Sequence, residues 1–427
     1  LKREVLNHLN NEYTEPVRDP VWRNIYLSRG LLRLLNEEPC QKLNRIKQLG
    51  PAHLVYPGAT HTRLNHSLGV FGIAVRLIRH LLNYFPPNRL DVEDVKAFVT
   101  AALLHDLGHY PYAHSLKDLD VRSHESLTAE IICNEPFSRW LREYVGVEAT
   151  YVAAIIDRNL SEGRFENLGF FRNLLSGVLD PDKLDYLSRD AYFCGVPYGI
   201  QDVDFVLGEI RPHGIDRFAV TEKGLTSVES VLFSKYLMYK TVYWHKTVRV
   251  ATAMVKKALL LGIESGEIRK KDLYGLDDEE FFRLFDRSRY SGFGIITDVL
   301  NRKLFKTVFS IPFDERNKFH RALVGLENRL KEEREILREV YKLTGKHYRD
   351  EDVIIDIPEP ISFEVELPVV KRDGNVVDFK HSSSVFTGDV VGKFVSSLRS
   401  VSVIVRRDRE LMDSVLEISK DRFLDVH

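Results

Sequence analysis

Residues 102–116 read "ALLHDLGHYPYAHSL", and the fold turns on how that stretch is buried. Ala102, Leu103, Leu104 and Leu107 call for an apolar interior. His105, Asp106, His109 and His114 do not, because a buried imidazole or carboxylate is costly unless a partner satisfies it. Helical spacing puts His105 and His109 on one face at i, i+4 with Asp106 beside them. Pro111 then breaks the helix, so His114 arrives from a turn. Imidazole and carboxylate together are ligands for a first-row divalent metal. A His–Asp dipeptide alone is weak, since a chain with 15 histidines holds about one by chance. The setting carries the signal.

Two other segments have the same mixture. Upstream, "YPGATHTRLNHSLGV" (56–70) offers His61, Arg63 and His66 at the start of an apolar helix. Downstream, "LDPDKLDYLSRDAYFCGV" (179–196) offers Asp182, Lys183, Asp185, Tyr186, Arg189 and Asp190 among apolar positions. Surface loops rarely combine so much leucine with so much charge.

The rest of the chain frames these segments. It has 427 residues, 44% apolar and 29% charged, with a net charge of −1. That suits a large globular core and more than one domain. Near-neutrality gives nucleic-acid binding no support. No apolar stretch approaches the ~18 residues of a membrane span. The first residues, "LKREVLNHLNNEY", carry no signal-peptide core. Cys40, Cys133 and Cys194 are too sparse for a disulfide framework. A cytoplasmic location is the expectation.

The spacing of apolar residues predicts helix over most of 22–345, including one unbroken helix from about Thr226 to Ile263. A short hairpin precedes it around "FAVTEKGL". The run "NRLKEEREILREVYKL" reads as a solvated helix face. After about residue 345 the pattern alternates, with Asp373–Gly374 as a hairpin turn and "SVSVIVRRD" as a further strand. The expected architecture is mainly α: a helical core over 1–265 with the motif region at about 50–200, a helical extension over 266–345, and a small α+β unit over 346–427.

The order His66, His105–Asp106, Asp182 resembles the signature of the HD-domain metal-dependent phosphohydrolases. The surrounding words "IKQLGPAHLVYPGATHTRLNHSLGV", "LLHDLGHYPYAHSL", "HES", "LDPDKLDYLSRDA" and "YWHK" resemble the deoxynucleoside triphosphate triphosphohydrolase (dNTPase) branch, the relatives of the SAM and HD domain dNTPase. The resemblance runs from about residue 19 to 246. It implies that His66, His105, Asp106 and Asp182 hold one divalent ion, for which Mg, Mn, Fe, Co, Ni and Zn are all chemically acceptable. It implies that Arg63, Lys183 and Lys235 hold phosphates and that His109, His114 and His124 surround the attacked phosphorus. Tyr186 would pack on the sugar, Gln48 and Asp190 would read the 3′-hydroxyl, and Leu49 would crowd the 2′-carbon.

The implied reaction is attack of metal-activated water on the α-phosphorus, releasing deoxynucleoside and triphosphate. His124, with Glu125 beside it, would protonate the leaving 5′-oxygen, and His114 would orient the nucleophile. The branch also implies a homo-dimer or tetramer. Two positions depart from its pattern. Lys235 stands where arginine is usual, which loses the bidentate fork. Lys117 stands where a carboxylate usually orients His114, and Asp118 is one place late. Glu15 and Asn44 fall where basic residues would bind an activating nucleotide, so no such activation is expected. Two alternatives stay open: an HD phosphohydrolase of other specificity (nucleotidase or phosphodiesterase), or a nucleotide-binding regulatory protein with weak catalysis, which Lys117 keeps in view. The chain lacks a GYP motif and shows HDLGH rather than HDxxED, which disfavours the cyclic-di-GMP and alarmone branches.

Overall fold

Thr62 opens the central helix, Arg63–Leu81, with a capping box. Its Oγ1 accepts the Asn65 N–H at 3.4 Å, while Asn65 Oδ1 accepts the Thr62 N–H at 2.9 Å. His66 therefore sits in the first turn of a helix buried around most of its circumference. Asp91 caps Val92–Leu104 in the same way, and every residue from Ala97 to Leu104 is buried. The helix Pro181–Cys194 starts with Asp180 as N-cap and Pro181 in the first turn. It stops at Gly195, whose φ of +67° suits the left-handed C-terminal position. Arg63–Leu81 packs against both other helices, around a core that includes Phe71, Ile78, Phe98 and Leu187.

The computed structural model describes residues 1–161, 163, 165–363, 366–383 and 385–424. It bears out a mainly helical architecture with small sheets, and it changes four expectations. Residues 23–27, expected in a helix, form a strand antiparallel to Glu15–Asp19, and the helix begins at Arg29. The long helix expected from Thr226 to Ile263 is two helices, Leu225–Met238 and Lys246–Glu264. Between them Tyr239–Tyr243 widen into a π-type turn, and His245 caps the second helix by accepting the Thr247 N–H at 3.2 Å. No proline or glycine marks the widened turn, and π-turns occur as single bulges inside otherwise α-helical runs, so the sequence shows no break there.

The third and fourth changes concern strands that pair over long stretches of sequence. The supposed helical extension contributes a strand, Lys306–Pro312, which pairs antiparallel with Ser400–Val405; that strand also pairs with Val353–Asp356. The hairpin Ile210–His213 and Arg217–Thr221 continues in parallel into Pro368–Val370 and then Val376–Asp378. Residues after 345 thus complete a sheet begun before 225. Asp373–Gly374 does make the hairpin turn, with Gly374 at φ +86°. Among the described residues no helix is long and apolar enough to cross a membrane.

Candidate active site

The helix Val92–Leu104 ends one residue before the His–Asp pair. His105 is its C-cap, and residues 105–108 form a turn. The expected i, i+4 helical pairing of His105 with His109 is therefore replaced by a sharp reversal that sends the two imidazoles to different clusters. Gly108 permits the reversal, because a Cβ there would lie 2.4 Å from His124 O and from Thr128 N. Thr128 pins it: its Oγ1 accepts the Gly108 N–H at 2.7 Å and donates to His105 O at 3.1 Å.

Three of the four predicted ligands converge closely. His66 Nε2 lies 2.9 Å from Asp182 Oδ1, and His105 Nε2 lies 3.9 Å from the same oxygen. One donor atom each from His66, His105 and Asp182 falls within 4.8 Å of the others. Asp106 stands beside them, with Oδ1 3.5 Å from His105 Nε2. Its Oδ2 accepts a hydrogen bond from Arg63 Nη1 at 2.8 Å. Burial raises both carboxyls, but the neighbouring imidazoles, and Arg63 for Asp106, lower them by more and keep them ionised. Burial lowers the His66 imidazole, yet Asp182 and Asp185 on its two nitrogens push it up to about 10. The space between His66 Nε2 and Asp182 thus favours a cation, a proton or a metal ion alike. This donor set of borderline nitrogens and hard oxygens fits one divalent ion.

Behind His66 runs a buried chain that the sequence reading left without a role. His66 Nδ1 lies 2.8 Å from Asp185 Oδ2, and Arg189 grips Asp185 at 2.9 and 3.0 Å. Arg189 reaches on to Asp19 at 2.7 Å, and Trp22 Nε1 donates to Asp185 Oδ1. Such a carboxylate fixes the tautomer and orientation of a ligating imidazole. Gly69 makes room, since a Cβ there would sit 1.8 Å from Asp185 Oδ1. Spacing could have hinted at it: Asp185 follows Asp182 by three and precedes Arg189 by four on one helix.

The second cluster is His109, His114 and His124. His109 stacks on His124 with centroids 4.1 Å apart, and His114 lies 4.7 Å from His109 and 5.1 Å from His124. His109 is fully buried, and neither ring nitrogen has a hydrogen-bond partner among the described residues. Burial and the nearby Arg63 charge hold it well below the usual histidine range, hence neutral. His124 Nδ1 lies 3.4 Å from Glu125 Oε2, and its Nε2 lies 3.8 Å from Asp106 Oδ1.

Both clusters border a cavity of about 500 Å³, the second through His114 and His124, while His109 is buried behind them and does not reach the wall. Gln48, Leu49, Arg63, Tyr186, Asp190 and Lys235 all line it. Asp190 is already engaged, by His61 Nε2 at 2.8 Å and the Tyr243 hydroxyl at 2.7 Å. Lys235 Nζ donates to Ser362 O at 2.8 Å, so residues 359–362 roof the cavity from the far end of the chain. Lys183 is not brought to this wall; its Nζ donates to Asp180 Oδ2 at 2.7 Å and Gly177 O at 2.8 Å. Glu125 lines a separate cavity of about 340 Å³ that meets the first at His105, His124 and Asp182. Asp118 does not stand in for the missing carboxylate beside His114. It accepts from Lys256 Nζ at 2.7 Å and Arg329 Nη2 at 2.9 Å.

Comparisons with known proteins identify the family. Residues 63–180 match the HD domain model, and residues 210–388 match the HD associated region. The chain is 30% identical over 368 residues to the uncharacterized protein MJ1154 of Methanocaldococcus jannaschii, spanning 84% of this chain and 72% of that one. It is 26% identical over 292 residues to the deoxynucleoside triphosphate triphosphohydrolase SAMHD1 of Danio rerio, spanning 60% of this chain and 46% of that one. A phosphohydrolase crystal structure from Bacteroides thetaiotaomicron shares the fold, with a TM-score of 0.71 over 92% of this chain and 99% of that one at 24% identity.

Proposed function

The chain belongs to the HD-domain phosphohydrolases, and on that premise we propose that it hydrolyses deoxynucleoside triphosphates to deoxynucleoside and inorganic triphosphate. The observation that carries the reading is the meeting of His66, His105 and Asp182 with His114 and His124 at one cavity, His109 packing against both from behind. That cavity, about 500 Å³, lies within the ~300–1,000 Å³ typical of small-molecule sites.

His66, His105, Asp106 and Asp182 would hold the ion, and Asp185 would orient His66. A bound divalent ion supplies Lewis acidity, which acidifies water and draws charge from phosphoryl oxygens. Arg63, held on Asp106, presents a fixed positive charge to the α-phosphate. His109, buried and kept neutral, packs against His114 and His124 and would position these two rings rather than meet the substrate itself. His124, with Glu125 at 3.4 Å, is placed to pass a proton to the leaving 5′-oxygen. Tyr186 and Leu49 form an apolar wall for the sugar, and Gln48 and Asp190 offer polar groups to its hydroxyl. A homo-dimer or tetramer belongs to the same reading. It is read by light scattering.

Phosphorus NMR of the products tests the reaction. Manganese-loaded protein incubated with each of the four deoxynucleotides, and with ribonucleotides beside them, should yield the signals of inorganic triphosphate from the deoxy series. Orthophosphate or a nucleoside monophosphate would point to a nucleotidase or phosphodiesterase. Binding without turnover would point to a regulatory protein.

A further inference from the structure

Lys117 is an exposed lysine on the wall of the large cavity. Among the described residues no carboxylate lies within 4.0 Å of its amine, and no hydrogen-bond acceptor is in reach. The other lysines and arginines on that wall are committed. Lys47 pairs with Asp278 at 3.2 Å, Arg63 with Asp106 at 2.8 Å, and Arg249 with Asp356 at 2.5 Å; Lys235 is bound to Ser362 O.

The local backbone aims Lys117 at the site. Residues Ala113–Leu119 form a 3-10 helix, entered through Tyr112 at φ +63° and left through Asp120 at φ +53°. In a 3-10 helix, side chains three apart eclipse one another, so Lys117 stands over His114. Its neighbour Asp118 necessarily points elsewhere, and there Lys256 and Arg329 clamp it. That buried clamp fixes the rotation of the whole turn. His114 and Lys117 share the cavity side, and Asp118 does not line it.

We propose that Lys117 is a polyphosphate-binding residue, supplying the cation for the outer phosphates of a nucleoside triphosphate. The inference rests on the reading of the site as one for a triphosphate. The amine is a compact charge on a flexible stem, suited to phosphates whose position varies. It also compensates for Lys183, whose amine is bound to Asp180 and Gly177 O rather than brought to the wall.

Calorimetric titration of magnesium-saturated protein with inorganic triphosphate, and separately with orthophosphate, tests this. Lys117→Gln should weaken triphosphate binding by about tenfold, the size of one charge-assisted contact. Orthophosphate binding should be nearly unchanged, and Lys117→Arg should keep most of the triphosphate affinity. The side chain is exposed, so both variants should melt as the parent does. Unchanged triphosphate affinity in Lys117→Gln overturns the inference while leaving the triphosphate site standing. Equal weakening toward both anions also overturns it, because the lysine would then act on phosphate in general. A parent protein that does not bind triphosphate overturns the functional reading and this inference with it.

Discussion

Asp185 shows how a single buried carboxylate can set a metal ligand. It accepts from Trp22, is forked by Arg189 and faces His66 Nδ1, so its own position leaves the imidazole little freedom. Asp185→Asn keeps the volume but removes the charge. Metal affinity, read by competition with a chromogenic chelator, should fall about 10–100-fold, with Arg189 left facing only Asp19. Loss of less than twofold would mean that packing alone orients His66. Asp118 permits a pH prediction. Burial raises its carboxyl, but Lys256 and Arg329 lower it by more, so its folded pKa lies below the usual value. A depressed carboxyl stabilises the fold above the unfolded pKa of ~3.9, and that stability is lost as pH falls through the lower folded value. Asp118→Asn should therefore lower stability by about 3 kcal/mol near neutrality. The gap from the parent, followed by urea unfolding, should close below about pH 4.

At the scale of elements, the helix Leu326–Thr344 departs from its solvated reading in one respect. Its run of charges has an outward face, but Arg329 and Glu333 are buried. Glu333 is paired with Lys257 of the Lys246–Glu264 helix and accepts the Ile355 N–H at 2.7 Å. One carboxylate thereby ties two helices to the strand Val353–Asp356. Lys257→Met should cost about 3–5 kcal/mol by leaving that charge unpaired, and Lys257→Met with Glu333→Gln should regain most of it. Urea unfolding of both variants reads the difference. Equal losses would mean that the pair contributes packing rather than charge neutralisation. Legibility at this scale follows range. His66, His105, Asp106 and Asp182 were readable because ligand chemistry restricts residue type at each position. The termination of a helix at Leu104 was not, because Gly108 and Thr128 act across two elements. Nor was the π-turn at Tyr239–Tyr243, which brings Tyr239 and Tyr243 to the cavity wall. Sequence shows the position of Lys183 but not the Asp180 carboxylate that holds its amine.

Across the whole molecule, the candidate centre joins segments that are distant in sequence. His66 comes from the central helix, His105 and Asp106 from the reversal after the next, and Asp182 from the first turn of Pro181–Cys194. The roof at 359–362 is held from behind by the parallel pairing of Arg217–Thr221 with Pro368–Val370. An ion bound at such a junction cross-links elements that the unfolded chain lets drift apart, so binding and folding are linked. At a free metal concentration 100 times the dissociation constant, the native state gains about 2.7 kcal/mol. Chelator-treated protein should therefore melt several degrees lower than the same protein resupplied with manganese or iron, as read by differential scanning fluorimetry. His105→Ala should abolish most of that response. His320→Ala, altering a buried histidine on Lys318–Ala322 remote from these ligands in sequence, should preserve it even if it lowers the melting temperature. Equal metal responses in the parent and His105→Ala would place the stabilising ion elsewhere, and the proposed chemistry would lose its centre.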